Sequence, residues 1–179
     1  MVNSEPSFWY VLRDLKRPNA KKRAYQELQE ERYQLGGCVF TPIQQPANQP
    51  FLPDLVFVRA TRAQLDPIVR SIGTLQYCYV KGCKQNDPLK IDNERMSQFL
   101  RAVSQSCEVD FLKPEEASPA RFSKQIRMVD GPLSGTEGRL WSRRGSRVKR
   151  LLLDLPGLLT AAIAVDPHSI QLITDKRGS

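Results

Sequence analysis

Few side chains in this chain could do covalent chemistry. Its one histidine, His168, follows Pro167 in a turn, where a surface imidazole is the expected role. The four cysteines, Cys38, Cys78, Cys83 and Cys107, include no CxxC pair, and zinc would need several thiolate or imidazole ligands at short spacing. No metal site is therefore expected. The phosphate-cradling pattern GxxxxGK[ST] is absent. What remains is charge. Arg143-Arg144-Gly145-Ser146-Arg147-Val148-Lys149-Arg150 carries five cations, a composition able to grip phosphates. No aromatic residue interleaves them, so base stacking is not expected, and a solvated loop is the alternative. The chain is expected to bind rather than catalyse, with no cofactor and no enzymatic activity.

The bulk numbers agree with a binding role. A length of 179 residues allows one mid-sized domain or two small ones. Hydrophobic residues at 40% and charged residues at 26% are an ordinary globular balance. No apolar run approaches the ~20 residues of a membrane span, and Phe8 to Leu12 is too short for a signal-peptide core. A soluble, cytoplasmic protein with reduced thiols is expected. The net charge of +8 is uneven: residues 117–179 hold 11 Lys/Arg against 5 Asp/Glu, residues 1–116 hold 16 against 14. The basic excess in the last third favours polyanions.

Two sets of elements must position these groups. Phe8-Trp9-Tyr10-Val11-Leu12 suits a buried strand. Residues 20–33 read as a helix whose Lys21, Lys22 and Arg23 come early and Glu27, Glu30 and Glu31 late, against the helix dipole. Cys38-Val39-Phe40 starts a second strand, and residues 41–53, with Pro42, Pro46, Pro50 and Pro53, read as an extended loop. Leu55-Val56-Phe57-Val58 is a strand, residues 63–72 a helix, 75–80 a strand, 92–103 a helix, and 109–112 an edge strand. The order β-α-β-β-α-β predicts a ferredoxin-like sandwich over residues 1–112, in an α+β chain. Residues 113–121, with Pro114, Glu115, Glu116 and Pro119, have linker composition.

Residues 122–179 alternate by twos and predict a small SH3-like barrel of five strands. Its first hairpin turns at Asp130-Gly131-Pro132-Leu133-Ser134-Gly135-Thr136-Glu137-Gly138, between Gln125-Ile126-Arg127-Met128-Val129 and Arg139-Leu140-Trp141. The run 148–164 is rich enough in Leu and Ala to favour helix by propensity, but Leu159, Ala161, Ile163 and Val165 alternate as in a strand.

Three stretches carry a family resemblance. The Asp130 to Gly138 turn after an apolar strand resembles the KOW module of the NusG transcription factors. Trp9-Tyr10-Val11 resembles the opening of their N-terminal domain. Pro50-Phe51-Leu52-Pro53-Asp54-Leu55-Val56-Phe57-Val58 resembles its Phe-Pro-x-Tyr-x-Phe-Val strand entry, with Leu52 in place of Phe and Leu55 in place of Tyr. The KOW part lacks the usual Gly-Asp lead-in, having Phe122-Ser123-Lys124 there. These departures are similar to those of specialised paralogues such as the RfaH and UpxY groups.

The resemblance implies an elongation or antitermination factor. Its first domain would dock on the clamp helices of the largest RNA polymerase subunit through Tyr10, Leu52, Leu55 and Phe57. Arg13, Lys16, Arg17, Lys21, Lys22 and Arg23 would lie near upstream or non-template DNA. The KOW-like module would meet a small-subunit ribosomal protein, with Leu133 as an apolar contact, or nascent RNA through Arg143, Arg144, Arg147, Lys149 and Arg150. A KOW-type RNA-binding protein tied to the ribosome is the alternative implication. No membrane partner is expected.

Overall fold

The aromatic and β-branched run near the start forms β1, Phe8–Asp14, the middle strand of the first sheet. The computed structural model describes residues 5–17, 19–80, 87–117 and 123–174, and the chain divides into two units, Met1–Asn93 and Glu94–Ser179. Both are built on antiparallel strand pairs.

In the first unit, β1 is followed by α1 (Ala24–Leu28), β2 (Val39–Phe40), β3 (Ile43–Gln44), β4 (Gln49–Pro50), β5 (Leu55–Ala60), α2 (Arg62–Ser71), β6 (Leu75–Tyr77) and β7 (Lys90–Ile91). The sheet order is β2-β5-β1-β6, with β7 also on β1. Each helical connection thus skips over one strand: β1 to β2 across β5, and β5 to β6 across β1. Val11 registers with Phe57 and Leu12 with Val56. The core on the helix side gathers Tyr10, Leu12, Val56 and Val58 with Leu28, Leu65, Ile68 and Ile72.

The helix expected over 20–33 is much shorter. Its backbone becomes helical only at Ala24, whose N–H donates to the carboxylate of Asp14 at 2.9 Å. Asp14 is 4% exposed and also accepts from the Lys16 N–H at 2.9 Å, so a buried anion is satisfied and the helix N-terminus is capped from a neighbouring strand. At the other end Glu30 is extended, with φ −66° and ψ 143°, before a 3-10 turn at Glu31–Tyr33. The charge order works against a longer helix. The proline-rich stretch 41–53 is a two-stranded ribbon rather than a loop throughout. Pro50 ends β4, where no ladder N–H is needed, and the Phe51 N–H donates to the Pro42 carbonyl at 2.8 Å. Helix α2 is fixed by a reciprocal cap: the Gln64 N–H donates to Thr61 Oγ1 and the Thr61 N–H to Gln64 Oε1, each at 3.1 Å.

The second unit holds α3 (Asn93–Gln105, all but its first residue), β8 (Val109–Leu112), α4 (Pro114–Ala117), β9 (Gln125–Met128), β10 (Glu137–Trp141), β11 (Arg150–Leu155), β12 (Leu159–Ala164) and β13 (Ile170–Leu172). The order is β13-β9-β10-β11-β12-β8. All five strands expected in the last third are present. Strand β8, read from the sequence as an edge of the first sheet, pairs instead with β12, Leu112 opposite Thr160. Residues 114–117 of the expected linker form a helical turn, and 118–121 lie outside the described residues. Strand β12 is buried on both faces from Leu159 to Ile163, more than one-sided alternation predicts. Leu112, Ala117, Leu152 and Ala162 pack together, with Trp141 against them.

The glycine-rich turn joins β9 to β10 as its composition demands. Gly131 has φ +76° and Gly135 φ +86°, both in the left-handed region. Gly138 is glycine for another reason. A Cβ there would fall on the Leu152 carbonyl oxygen and 2.7 Å from Leu151 Cδ1. Gly138→Ala is expected to cost about 1–3 kcal/mol. Gly37→Ala, where a Cβ meets nothing within 4 Å and φ is not positive, is expected to stay within about 0.5 kcal/mol of the parent. Urea unfolding of both variants measures this; equal midpoints would show that β10 shifts to admit a methyl at no cost.

Candidate functional site

A strand sends alternate side chains to opposite faces. The β1–β5 register places Tyr10, Leu12, Val56 and Val58 toward α1 and α2. It turns Trp9, Val11, Arg13, Leu55 and Phe57 the other way, joined by Phe40 opposite Phe57. The Phe40 and Phe57 rings lie 6.0 Å apart, tilted at 44°. This second face is apolar although the unit's own helix-side core is on the other side. Phe57 is 0% exposed, while Leu55, Leu52 and Phe40 are half-buried and Arg13 is exposed.

Of the four expected docking residues, Leu55 and Phe57 share this face and Leu52 precedes it in the turn whose carbonyl accepts the Leu55 N–H at 3.1 Å. Tyr10 does not join them. It is 1% exposed, with its ring edge-on to Tyr77 at 5.9 Å and to Phe8 at 6.5 Å in the helix-side core. The reason is parity: Tyr10 registers with Val58, so it follows Val56 and Val58 inward. Trp9, Val11 and Phe40 stand on the face where Tyr10 was expected. The antiparallel register of β1 against β5 was the missing signal.

The basic residues expected near DNA separate into two sets. Lys16 donates to Glu27 at 2.6 Å, Lys22 pairs with Glu30, and the Arg23 guanidinium donates to the carbonyls of Arg17, at 3.1 Å, and Pro53. These three are committed to holding the segment around α1. Arg13, Arg17 and Lys21 are exposed, and no described side chain pairs with them. Sequence alone could not sort them, because the acids beside Lys16, Lys22 and Arg23 lie 8 to 11 residues away along the chain, at Glu27, Glu30 and Asp14.

In the second unit Leu133, expected to face a partner, is buried at 8%. The turn folds back on itself, the Thr136 N–H donating to the Leu133 carbonyl at 3.0 Å, and this draws the side chain in. It lines a cavity of about 570 Å³ with Met128, Pro132 and Val165. Arg150 is also removed from the expected set: its guanidinium lies 2.9 Å from Glu108 and 3.0 Å from Asp110, and the side chain is 12% exposed. Arg143, Arg144, Arg147 and Lys149 remain exposed. His168 is exposed in its turn, its N–H held by the Asp166 carboxylate at 2.9 Å. Cys38 and Cys78 are half-buried, Cys107 is exposed, and all three are free thiols; Cys83 lies outside the described residues. Among the described residues, no helix is long and apolar enough to cross a membrane.

Glu27 is the hub of the α1 network. The Lys16 ammonium hydrogen-bonded to it holds its carboxyl below the usual carboxylate range; burial opposes this, and the Tyr33 hydroxyl, donating at 3.1 Å, adds to it. A depressed folded-state pKa means stability present above the unfolded value, ~4.3, and lost as pH falls through the folded one. Glu27→Gln is therefore expected to lower stability at pH 7 by up to about 1 kcal/mol. The gap from the parent should close on acidification below pH ~4. Melting curves across pH check this; a gap that persists unchanged at acid pH would assign the effect to packing.

No family model matches the chain, and no curated protein matches it in sequence. A solved structure described as "Domain interaction in Thermotoga maritima NusG" is similar over 94% of this chain and 98% of that chain, with a TM-score of 0.51 and 15% identity. With that backbone likeness extending through both units, the chain has a NusG-like fold.

Proposed function

We propose that this protein is a transcription elongation factor of the NusG type, acting by binding and without catalysis. The first unit is then a ferredoxin-like sandwich and the second carries an SH3-like barrel of the KOW kind. The observation that carries the reading is the half-buried apolar set Phe40, Leu52 and Leu55 on the side of the first sheet away from α1 and α2, next to the buried Trp9, Val11 and Phe57, within a NusG-like fold. A face of this kind suits the tip of a helical hairpin, because the burial of aliphatic and aromatic anchors drives helix-in-groove docking. The clamp helices of RNA polymerase are the partner, and Leu52, Leu55 and Phe40 are the accessible anchors, with Phe57 beneath them. Arg13, opposite Leu55 in the register and exposed, is the cation that would then reach DNA beside the polymerase.

Binding one clamp conformation better than another would hold the polymerase in that conformation and alter its pausing. The aliphatic Leu52 and Leu55, standing where the family carries aromatics, support a specialised paralogue of the RfaH or UpxY kind, active in antitermination in the cytoplasm. With Leu133 buried, a ribosomal-protein contact through that side chain is not part of the proposal.

The test is recovery of purified RNA polymerase on the immobilised full-length chain. Leu55→Asp is expected to weaken binding by about tenfold to a hundredfold, the cost of charging an apolar anchor, with the thermal transition retained. Tyr10→Phe should leave binding unchanged, since Tyr10 belongs to the core. Undiminished binding by a folded Leu55→Asp variant would overturn the docking face, and failure of the parent to recover polymerase would overturn the function.

A further inference from the structure

We propose that Arg23 is a positioning residue for the docking surface: its guanidinium fastens the turn that carries Leu52, residues 51–54, to the segment between β1 and α1. The inference rests on the reading of Leu52 as a docking anchor. By composition Arg23 is a cation open to an external anion, yet its side chain is only 14% exposed. Its Nη1 donates to the Arg17 carbonyl at 3.1 Å and lies 3.5 Å from the Lys16 carbonyl. Its Nη2 donates to the carbonyl of Pro53, 30 residues further along the chain. The Asp14 carboxylate, 4.0 Å from Nε, supplies the opposite charge. A guanidinium suits this place because its donors are splayed in a rigid plane and meet carbonyls on two segments at once. An ammonium is a compact charge on a flexible stem and does not reproduce that fork.

The turn depends on such a tie. Leu52 is half-buried, and the Pro53 and Asp54 that follow it are exposed. The two ends of the turn are fixed by backbone pairs: the Phe51 N–H donates to the Pro42 carbonyl and the Asp14 N–H to the Asp54 carbonyl, each at 2.8 Å. The Leu52 carbonyl accepts from the Leu55 N–H, a bond that closes the turn on itself without attaching its middle to the rest of the unit. The Arg23 bond to Pro53 makes that attachment. Asp14 sets both sides of the bridge, since its carboxylate also accepts from the Lys16 and Ala24 N–H groups. Leu52 is thereby held in place before a partner arrives. An anchor already ordered loses less freedom on binding than one on a loose turn, so Arg23 adds to affinity without touching the partner. The α1 cap at this residue uses the Arg23 backbone N–H, which donates to Gln26 Oε1 at 3.0 Å, so a change of side chain leaves that bond available.

The experiment compares Arg23→Lys and Arg23→Ala with the parent in the full-length chain. It reads affinity for purified RNA polymerase free of nucleic acid, and leucine methyl NMR spectra of the unbound chain. Both variants are expected to bind about tenfold more weakly. In a Leu52→Ala background the same replacements should weaken binding less than about twofold, because Arg23 acts through Leu52. The Leu52 methyl resonances should shift in both variants, while those of Leu65, in the helix-side core, stay in place. Parent-like binding by Arg23→Lys would assign the effect to charge rather than to the fork and overturn the proposal. Equal losses with and without the Leu52 side chain would overturn it too, as would unmoved Leu52 resonances. Should Arg23→Ala disturb α1, seen at the Leu28 methyls, Arg23→Lys carries the test. The spectra need no polymerase. A parent that fails to bind polymerase while its Leu52 signals respond to Arg23 overturns the docking reading and leaves the turn fastened by Arg23. A parent that binds while those signals ignore Arg23 overturns the positioning role alone.

Discussion

The pairing of β1 with β5 is the constraint on which the first unit depends. Both strands are apolar on two sides: Val11 and Leu12 are each 0% exposed, and so are Phe57 and Val58. A strand has only two faces, and slipping the register by one residue would exchange them entirely. With Leu12 opposite Val56 and Val11 opposite Phe57, the branched aliphatic side chains of Val56 and Val58 go under the helices. The larger ring of Phe57 goes to the far face, against Phe40. The same register therefore decides which side chains lie on each face, and on the far one only Leu55 of β5 and Phe40 of β2 are half-buried among the apolar side chains, since Trp9, Val11 and Phe57 are buried. It also places Arg13 beside Leu55, so the apolar face ends in a cation at that strand end.

Charge is organised by a different rule. The net charge of +8 describes a tendency and no site. Buried or half-buried cations are costly unless an acid meets them, and the chain provides those acids at strand positions and around α1. Asp14 illustrates the arrangement: it sits at the end of β1, is nearly inaccessible, and is satisfied by two backbone N–H groups. Arg23 lies 4.0 Å from it. Cations on loops need no such partner, because water solvates them. An unpaired cation on a shaped loop is thus the residue type left available for an external anion.

Much of the first sheet was legible because its signals are local. The run Phe8 to Leu12 and the run Leu55 to Val58 are strands by composition alone, and Thr61 with Gln64 caps α2 through neighbours in sequence. The short α1 was not legible. Its start depends on Asp14, ten residues upstream, and no propensity scale contains that contact. The same holds for β8. Val109 to Leu112 has strand composition, but whether it extends one sheet or the other turns on partners some fifty residues away, at Thr160 to Ile163. Leu133 misled for a subtler reason. A leucine in a glycine-rich turn looks presented to solvent, and only the hydrogen bonds that fold the turn back show it drawn inward. Tyr10 failed on parity, a property of two strands together rather than of one.

The half-buried apolar set of the first unit and the cationic loop of the second differ in the forces that would operate them. Docking of aliphatic and aromatic anchors gains from removing apolar area from water and is nearly indifferent to ionic strength. A run of phosphates held by exposed guanidinium groups gains mainly from counterion release, and weakens steeply as salt rises. A chain that used both could keep hold of a protein partner while a hold on phosphates was made and broken. The absence of a base-stacking platform at Trp141 fits that division, because a sequence-reading contact would resist translocation whereas a row of equivalent phosphate contacts does not. A NusG-like fold that used both would join a salt-tolerant hold to a salt-sensitive one.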